Sequence, residues 1–317
     1  MKKPKPVTAR AHAKINLDLR VLGTRADGYH ELRTVFQSLE LHDVLTCRAR
    51  RGEFAIVTRD PHVPRDDSNL VWKAARALWR AIGYPGEPRD TIVRLDKQIP
   101  MQAGLGGGSA DGAAALVALA RLWLGGRHAV NLQLLRDLAA SLGADVPFFL
   151  WGGTALGLGR GEEIYPLVDL PRHVAVLVIP PFGVSTSEAY GWYDEERAAG
   201  FRDRGVGRGL PGELPPRDVQ VLPVPWPSRA AQMINDLEGA VARRHPDILQ
   251  VKLQLRQAGA VGASMSGSGS AIYGLFRTRA AAVAAARART RPAWRILLTR
   301  TLSRLEYERA ARPRLAQ

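Results

Sequence analysis

The sequence predicts an α+β fold, and three observations carry that expectation. Ile15, Leu17, Leu19 and Val21 alternate with other residues across Ala11–Leu22, the period of a half-buried strand. Leu70, Ala74, Ala77, Leu78 and Ala81 recur at helical spacing across Asn69–Ile82. Further apolar runs and helical patterns then follow one another to the end of the chain without a strict βαβα repeat.

The elements read in order. After the first strand, Thr24–His30 interrupts with turn chemistry, and Val35–Leu41, Val44–Cys47 and Phe54–Thr58 read as further strands. The helix Asn69–Ile82 precedes a strand at Thr91–Leu95. A glycine-rich loop, a helix over Ser109–Leu124 and a second over Leu132–Leu142 come next. The second half predicts a strand at Val174–Ile179 and helices at Ser185–Tyr193, Ala230–Ala242 and Ile248–Ala258. A glycine/serine loop at Gly262–Gly269, a strand at Ala271–Phe276 and a helix at Arg279–Ala288 complete it. Residues 200–227 are rich in Gly, Pro and Arg, lack periodicity, and read as a long surface insertion.

The totals bound the class. A chain of 317 residues with 46% hydrophobic and 24% charged residues suits a globular protein of two domains or one large one. Its lone cysteine, Cys47, fits a reducing cytoplasm, and no apolar stretch nears the length of a membrane span. The net charge of +15 suits a nucleic-acid partner, an anionic small molecule, or a solvated Arg-rich surface. The basic residues are scattered and form no aromatic-basic array, which argues against nucleic acid.

The strongest chemical signal is Pro100-Met101-Gln102-Ala103-Gly104-Leu105-Gly106-Gly107-Gly108-Ser109-Ala110. Its glycines let the backbone approach a ligand, and N–H groups at the following helix start favour an anion. Ser109 is placed to cap that helix, and its hydroxyl is in reach of Mg²⁺ or a phosphate oxygen. The loop lacks the Lys-Ser/Thr of a P-loop, so glycines alone imply phosphate binding and no more.

The loop PMQAGLGGGSAD resembles the central motif of the GHMP kinase superfamily. AHAKINLDLRVLGTRADGYHELRTVFQSLELHD at Ala11–Asp43, LGADVPFF at Leu142–Phe149 and MSGSGSAIYGLF at Met265–Phe276 extend the likeness over nearly the whole chain except 200–227. ADGYH after AKINL selects the branch whose acceptor is a cytidine diphosphate methylerythritol. Gly112 stands where alanine is more usual.

The resemblance implies a two-domain GHMP kinase fold. A ribosomal-protein-like N-terminal domain with a left-handed βαβ unit binds ATP (1–159), and a ferredoxin-like C-terminal domain holds the acceptor (160–317). It implies transfer of the γ-phosphoryl of ATP, with Mg²⁺, to the 2-hydroxyl of the erythritol in non-mevalonate isoprenoid synthesis. It further implies a cytoplasmic monomer or weak homodimer with no nucleic-acid or membrane partner.

Residue roles follow from the same resemblance. Asp145 would be the catalytic base; by itself it reads equally well as a turn or cap residue. Lys14, otherwise a solvent-facing strand lysine, would be its partner and favour the ionised carboxylate by charge attraction. Asn16 lies two residues on, so it shares a strand face with Lys14. Tyr29 would stack on cytosine, His30 would hydrogen-bond the base, and Tyr190 would supply a second aromatic. Asn69 and Lys97 match positions near the adenosine of ATP. Gly267, Ser268 and Gly269 would shape the diphosphate site as a second backbone nest. No His/Cys cluster has zinc spacing. Two alternatives remain: another GHMP enzyme, which would not need the Tyr29-His30 pair, and a nucleic-acid-binding protein with steeply salt-dependent binding.

Overall fold

The computed structural model describes residues 4–125, 131–200, 233–288 and 293–315. Beyond Gly200, the insertion expected at 200–227 lies outside them.

The chain opens with two long antiparallel strands, β1 (Val7–Thr24) and β2 (His30–Glu53), then β3 (Ala55–Thr58), helix α1 (Leu70–Ala81) and β4 (Arg89–Asp96). Helices α2 (Gly107–Leu124), α3 (Leu132–Leu142) and α4 (Phe148–Trp151) lead to β5 (Thr154–Leu158) and β6 (Glu163–Pro166). The second sheet uses β7 (Val174–Ile179), β8 (Gly262–Met265), β9 (Ile272–Phe276) and β10 (Arg295–Arg300). Helices α5 (Thr186–Ala198), α6 (Glu238–Arg244) and α7 (Asp247–Gln257) stand between β7 and β8. Helix α8 (Arg279–Arg287) links β9 to β10, and α9 (Arg304–Ala311) and β11 (Arg314–Leu315) end the described chain.

The larger sheet runs β11-β1-β2-β4-β3, with β5 hydrogen-bonded onto β2 and β6 onto β5. Its parallel pair, β3 and β4, is joined through α1, a βαβ crossover. The smaller sheet runs β10-β7-β9-β8, antiparallel throughout. Strand, helices, two strands, helix, strand in that spatial order is the ferredoxin-like arrangement. The line at 159/160 falls in the β5–β6 hairpin of the larger sheet, and β11 returns to that sheet from the far end of the chain.

Three cores hold these layers. The first packs α1 and α2 on the larger sheet through Leu45, Leu78, Val93, Leu95, Leu116 and Leu119. Asn69 caps α1 by accepting a hydrogen bond from Val71 N at 2.9 Å. The departure at Gly112 has a steric reason, since a Cβ there would meet Leu70 Cβ at 3.3 Å where α1 crosses α2. A second core lies within the ferredoxin-like half around Val176, Val251, Leu255 and Phe276. The third joins the halves through Ile15, Leu17, Leu105, Leu177 and Tyr273.

Strand β1 serves all three cores with residues of one parity, Leu19 and Val21 entering the second. Ala9 and Ala11 enter the first core, whereas Ala13, Ile15 and Leu17 enter the third. Between His12 and Lys14 the ladder slips by two residues, both of them inserted on β2, so β1 keeps its alternation unbroken. The strand brings Lys14 and Asn16 beneath the glycine loop, where Lys14 N donates to Leu105 O at 3.0 Å.

Several sequence expectations are corrected. Val35–Leu41 and Val44–Cys47 are one strand, β2, because buried Asp43 finds internal donors in place of a turn. Ser109 does not cap α2: the helix starts at Gly107 behind Gly106 at φ 70°, so Ser109 stands inside the first turn. Gly262–Met265 is strand, not loop. Helix Ala230–Ala242 shortens to Glu238–Arg244, and its expected start at 230–232 lies outside the described residues.

Candidate active site

A cavity of about 1180 Å³ opens between the two halves. That is room for more than one drug-sized ligand, since single-ligand pockets run to roughly 1,000 Å³. Every residue predicted for the site lines it except Ala110. Ala110 is buried in the first core and donates its N–H to Gly106 O at 2.8 Å.

Lys14 and Asp145 meet at the middle of the cavity, with Nζ 3.2 Å from Asp145 Oδ2. Lys14 is buried and also donates to Asn16 Oδ1 at 2.6 Å. Asn16 Nδ2 donates to Thr34 Oγ1 at 2.7 Å, and Thr34 Oγ1 donates on to Asp18 O at 2.8 Å. This relay orients the ammonium toward Asp145. The Asp145 side chain keeps 34% exposure, on the turn after Gly143 ends α3. The pair therefore combines a fixed cation with a carboxylate that a ligand can reach.

The two glycine loops pack on each other, with Ser266 Oγ donating to Gly104 O at 2.9 Å and Ala271 N to Ala103 O at 3.2 Å. Gly104 has φ 71°, and a Cβ on it would come within 2.0 Å of Ser266 O. Gly106 has φ 70°, and its Cβ would press on Phe149 at 2.7 Å and on the Lys14 side chain at 3.0 Å. A Cβ on Gly267 would lie 3.1 Å from Lys14 Nζ, so the second loop closes over the same ammonium. Asn235 fixes that loop by donating to Gly267 O at 2.7 Å and Met265 O at 3.0 Å. Ser268 meets the start of α5 at Thr186 Oγ1, 3.3 Å away.

Asn69 and Lys97 line the cavity together with the glycine-rich loop at 100–109. Asn69 already caps α1 and donates to Pro64 O at 2.7 Å. Lys97 Nζ is ion-paired to Asp43 and donates to Asp111 Oδ2 at 2.6 Å. Asp43 also accepts from Gln98 N and, at 2.8 Å, from Ile99 N, which ties the loop's entry to β2. Asp111 Oδ1 has no partner, and burial pushes the Asp111 carboxyl up to about 8, against the pull of Lys97 and with Asp43 adding to the rise.

Also in the cavity lining, His30 stacks on Tyr190 with ring centres 4.7 Å apart and planes 22° from parallel. His30 Nε2 is 2.9 Å from Asp194 Oδ1. Burial raises the Tyr190 hydroxyl above the usual phenol range, keeping it neutral. Tyr190 therefore backs His30 directly. Tyr29 is 58% exposed, with the Arg160 guanidinium 5.1 Å from its ring centre. Sequence reasoning missed Thr34, Asp43, Asp111, Arg160 and Asp194. Asp194 was findable, standing one helical turn beyond Tyr190, and Arg160 sat between two glycines in a turn.

The sequence profile described as GHMP kinases N terminal domain matches residues 69–153, and the one described as GHMP kinases C terminal matches 226–292. A 4-diphosphocytidyl-2-C-methyl-D-erythritol kinase of Pelotomaculum thermopropionicum is 42% identical over 303 residues, covering 94% of this chain and 98% of the relative. The chain belongs to the 4-diphosphocytidyl-2-C-methyl-D-erythritol kinase family of GHMP kinases. A member of that family from Solibacter usitatus is 44% identical over 279 residues, covering 85% of this chain and 81% of its own. A crystal structure of a 4-(cytidine 5'-diphospho)-2C-methyl-D-erythritol kinase matches with a TM-score of 0.69 at 35% identity, over 93% of this chain and 98% of that one. Homoserine kinase from Cytophaga hutchinsonii matches at a TM-score of 0.65 and 19% identity, covering 100% of this chain and 98% of that one, a likeness of fold. Among the described residues no helix is long and apolar enough to cross a membrane.

Proposed function

We propose that the protein transfers the γ-phosphoryl of ATP to the 2-hydroxyl of 4-(cytidine 5'-diphospho)-2-C-methyl-D-erythritol, giving the 2-phosphate and ADP in non-mevalonate isoprenoid precursor synthesis. The carrying observation is the Lys14–Asp145 contact set between the glycine loop and the Tyr29-His30 turn. It supports a reading in which a carboxylate and an ammonium act between an end that takes the ATP phosphates and an end that takes the cytosine.

In this reading Asp145 accepts the proton of the attacking hydroxyl. Lys14 attracts negative charge on that oxygen and on the incoming phosphoryl group. Asn16 holds Lys14 and faces the same acceptor. Loop 100–109 cradles the ATP phosphates, with Asn69 and Lys97 beside the adenosine. Gly267, Ser268 and Gly269 close on the acceptor's diphosphate, while Tyr29 stacks on its cytosine. His30, backed by Tyr190 and Asp194, hydrogen-bonds the base edge.

Mg²⁺ fits this site as an ion held mainly by nucleotide phosphates and water. Among the described residues no group of three His, Cys, Asp or Glu could hold a metal, and the Ser109 hydroxyl borders the cavity in the first turn of α2. When bound, the ion neutralises phosphate charge. The lone buried Cys47 agrees with a reducing, cytoplasmic setting.

ADP release with ATP, Mg²⁺ and the cytidine-bearing acceptor tests the proposal. Turnover by the wild type and its collapse in Asp145→Asn are expected. A folded wild type that releases no ADP above the acceptor-free background would overturn the function; normal turnover by Asp145→Asn would overturn the assigned base.

A further inference from the structure

We infer that Arg160 is a positioning residue for the acceptor: its guanidinium covers one face of the Tyr29 ring and holds that ring so that the opposite face receives the cytosine. The inference rests on the cytidine-acceptor reading above and adds a residue that reading does not contain.

The geometry starts with an exposed ring. Tyr29 lies on the turn between β1 and β2, with 58% of its surface open. The turn's backbone is fixed. Arg25 N donates to Tyr29 O at 2.7 Å, and Tyr29 N donates to Asp27 Oδ1 at 3.1 Å. Those bonds set the Cα position but leave the side chain its rotamers, and an exposed aromatic free to swing is a poor stacking platform. Ordering it on binding would cost affinity.

Arg160 answers that problem from 131 positions away in the chain. It stands in the tight turn joining β5 to β6, between Gly159 at φ 70° and Gly161 at φ 108°. Gly161 N donates to Leu158 O at 2.9 Å, and Leu32 N donates to Gly159 O at 2.6 Å. The turn is thereby pinned to β2 two residues beyond His30. Glu162 then fixes the arginine itself. Its Oε2 accepts from Arg160 N at 2.6 Å, and its Oε1 accepts from Arg160 Nε at 3.2 Å. With Nε held, the guanidinium carbon sits 5.1 Å from the Tyr29 ring centre, within cation–π range. Arg160, Gly161 and Tyr29 all border the cavity.

A cation on one face draws electron density from that side of the ring and leaves one face for a flat partner. The result is a three-layer stack of guanidinium, phenol ring and pyrimidine. The arginine acts on the acceptor's binding and not on phosphoryl transfer, because Lys14 and Asp145 form their own contact elsewhere in the cavity.

The test is steady-state kinetics of the full chain with ATP, Mg²⁺ and the cytidine-bearing acceptor, for wild type, Arg160→Ala, Arg160→Lys, Tyr29→Leu and the double variant Arg160→Ala with Tyr29→Leu. Circular dichroism and thermal melting confirm that each is folded. Arg160→Ala is expected to raise the acceptor KM by roughly three- to tenfold, with kcat and the KM for ATP within twofold of wild type. Arg160→Lys, which keeps a cation, recovers part of the loss. In the Tyr29→Leu background, removing Arg160 produces little further change. An unchanged acceptor KM in Arg160→Ala would overturn the inference. So would an equal rise in both KM values, or an undiminished arginine effect after Tyr29 is gone, which would assign the guanidinium to the substrate itself. A folded wild type that does not turn over this acceptor would instead remove the underlying function.

Discussion

Lys14 Nζ lies 3.2 Å from Asp145 Oδ2 although one residue belongs to a strand and the other to a turn after a helix. The ammonium is buried and anchored by Asn16, whereas the carboxylate is open to the cavity. In the proposed reaction, removing either member takes away charge that acts on the transferring group. Lys14→Ala and Asp145→Asn are each expected to lower kcat on the order of 10²–10⁴-fold, with KM for ATP changed by less than threefold. Rapid-quench or coupled ADP assays check this. A loss confined to KM would show that the pair binds substrate without acting in the transfer.

The contact between the glycine loops predicts that Gly104→Ala disrupts both. The new Cβ would sit 2.0 Å from Ser266 O on a residue with φ 71°. A stability loss of about 1–3 kcal/mol is expected from backbone strain alone, together with a rise of at least tenfold in KM for ATP. Chemical denaturation and kinetics measure the two effects. Wild-type values for both would mean that the loops do not share this contact in solution.

How far the site was legible follows from what sets each piece. The strand period of β1 put Lys14 and Asn16 on one face, and the glycine run marked the loop that lines the cavity, because both signals are local in sequence. Ser109 was misread because a serine at a helix start normally caps. Here Gly106 at φ 70° begins the turn earlier and leaves no side-chain cap. Strand β2 was split because His42-Asp43 looks like a break. Asp43 is buried all the same, since Lys97 and two backbone N–H groups from a distant loop satisfy it. Arg160 gained a function only through a partner 131 positions away, which no window of sequence contains. The C-terminal pieces β10, α9 and β11 are short and Arg-rich, with little apolar period to read.

His12 predicts acid sensitivity. It is buried with its Nε2 unpartnered, its ring 5.0 Å from that of His42 and 5.4 Å from that of Tyr307. Burial first, then the neighbouring His42, lowers it to about 4, against a hydrogen bond to Leu39 O that raises it. The unfolded chain therefore binds this proton more readily than the folded one. The contribution to stability is whole above about 6.5 and is lost as pH falls toward 4. Between pH 8 and pH 5 this group removes roughly 2 kcal/mol. Urea denaturation of wild type and His12→Gln checks it. The variant's stability is expected to fall less over that interval, and parallel curves would contradict the assignment.

Asp111 predicts the opposite slope. Its carboxyl is raised to about 8 by burial, so the folded state holds a proton that the unfolded state releases near 4. Its contribution is whole below the unfolded value and is lost as pH climbs through about 8. Asp111→Asn, which keeps an acceptor for Lys97 without the charge, is expected to gain stability over wild type, and the gain is expected to be larger at pH 9 than at pH 6. Thermal melts at the two pH values measure it. A gain that shrinks with rising pH would show that Asp111 is ionised in the fold.

Cys47 predicts inertness. Burial pushes its thiol up to about 12, and no part of the side chain is exposed. Iodoacetamide is expected to leave the native protein unmodified over hours at pH 8 and to label it fully in denaturant. Mass spectrometry reads both states. Rapid native labelling would contradict the burial of β2 in the first core.

In the proposed function, one cavity joins phosphoryl-transfer chemistry to recognition of a cytidine-bearing alcohol. The most direct measurement is kcat/KM for 4-(cytidine 5'-diphospho)-2-C-methyl-D-erythritol beside that for the same methylerythritol without its cytidine diphosphate, mevalonate and homoserine. Efficient turnover of the first is expected, with a value lower on the order of 10³-fold or more for the others, which leave the Tyr29-His30 end empty. Comparable or better turnover of any acceptor lacking cytidine would contradict it.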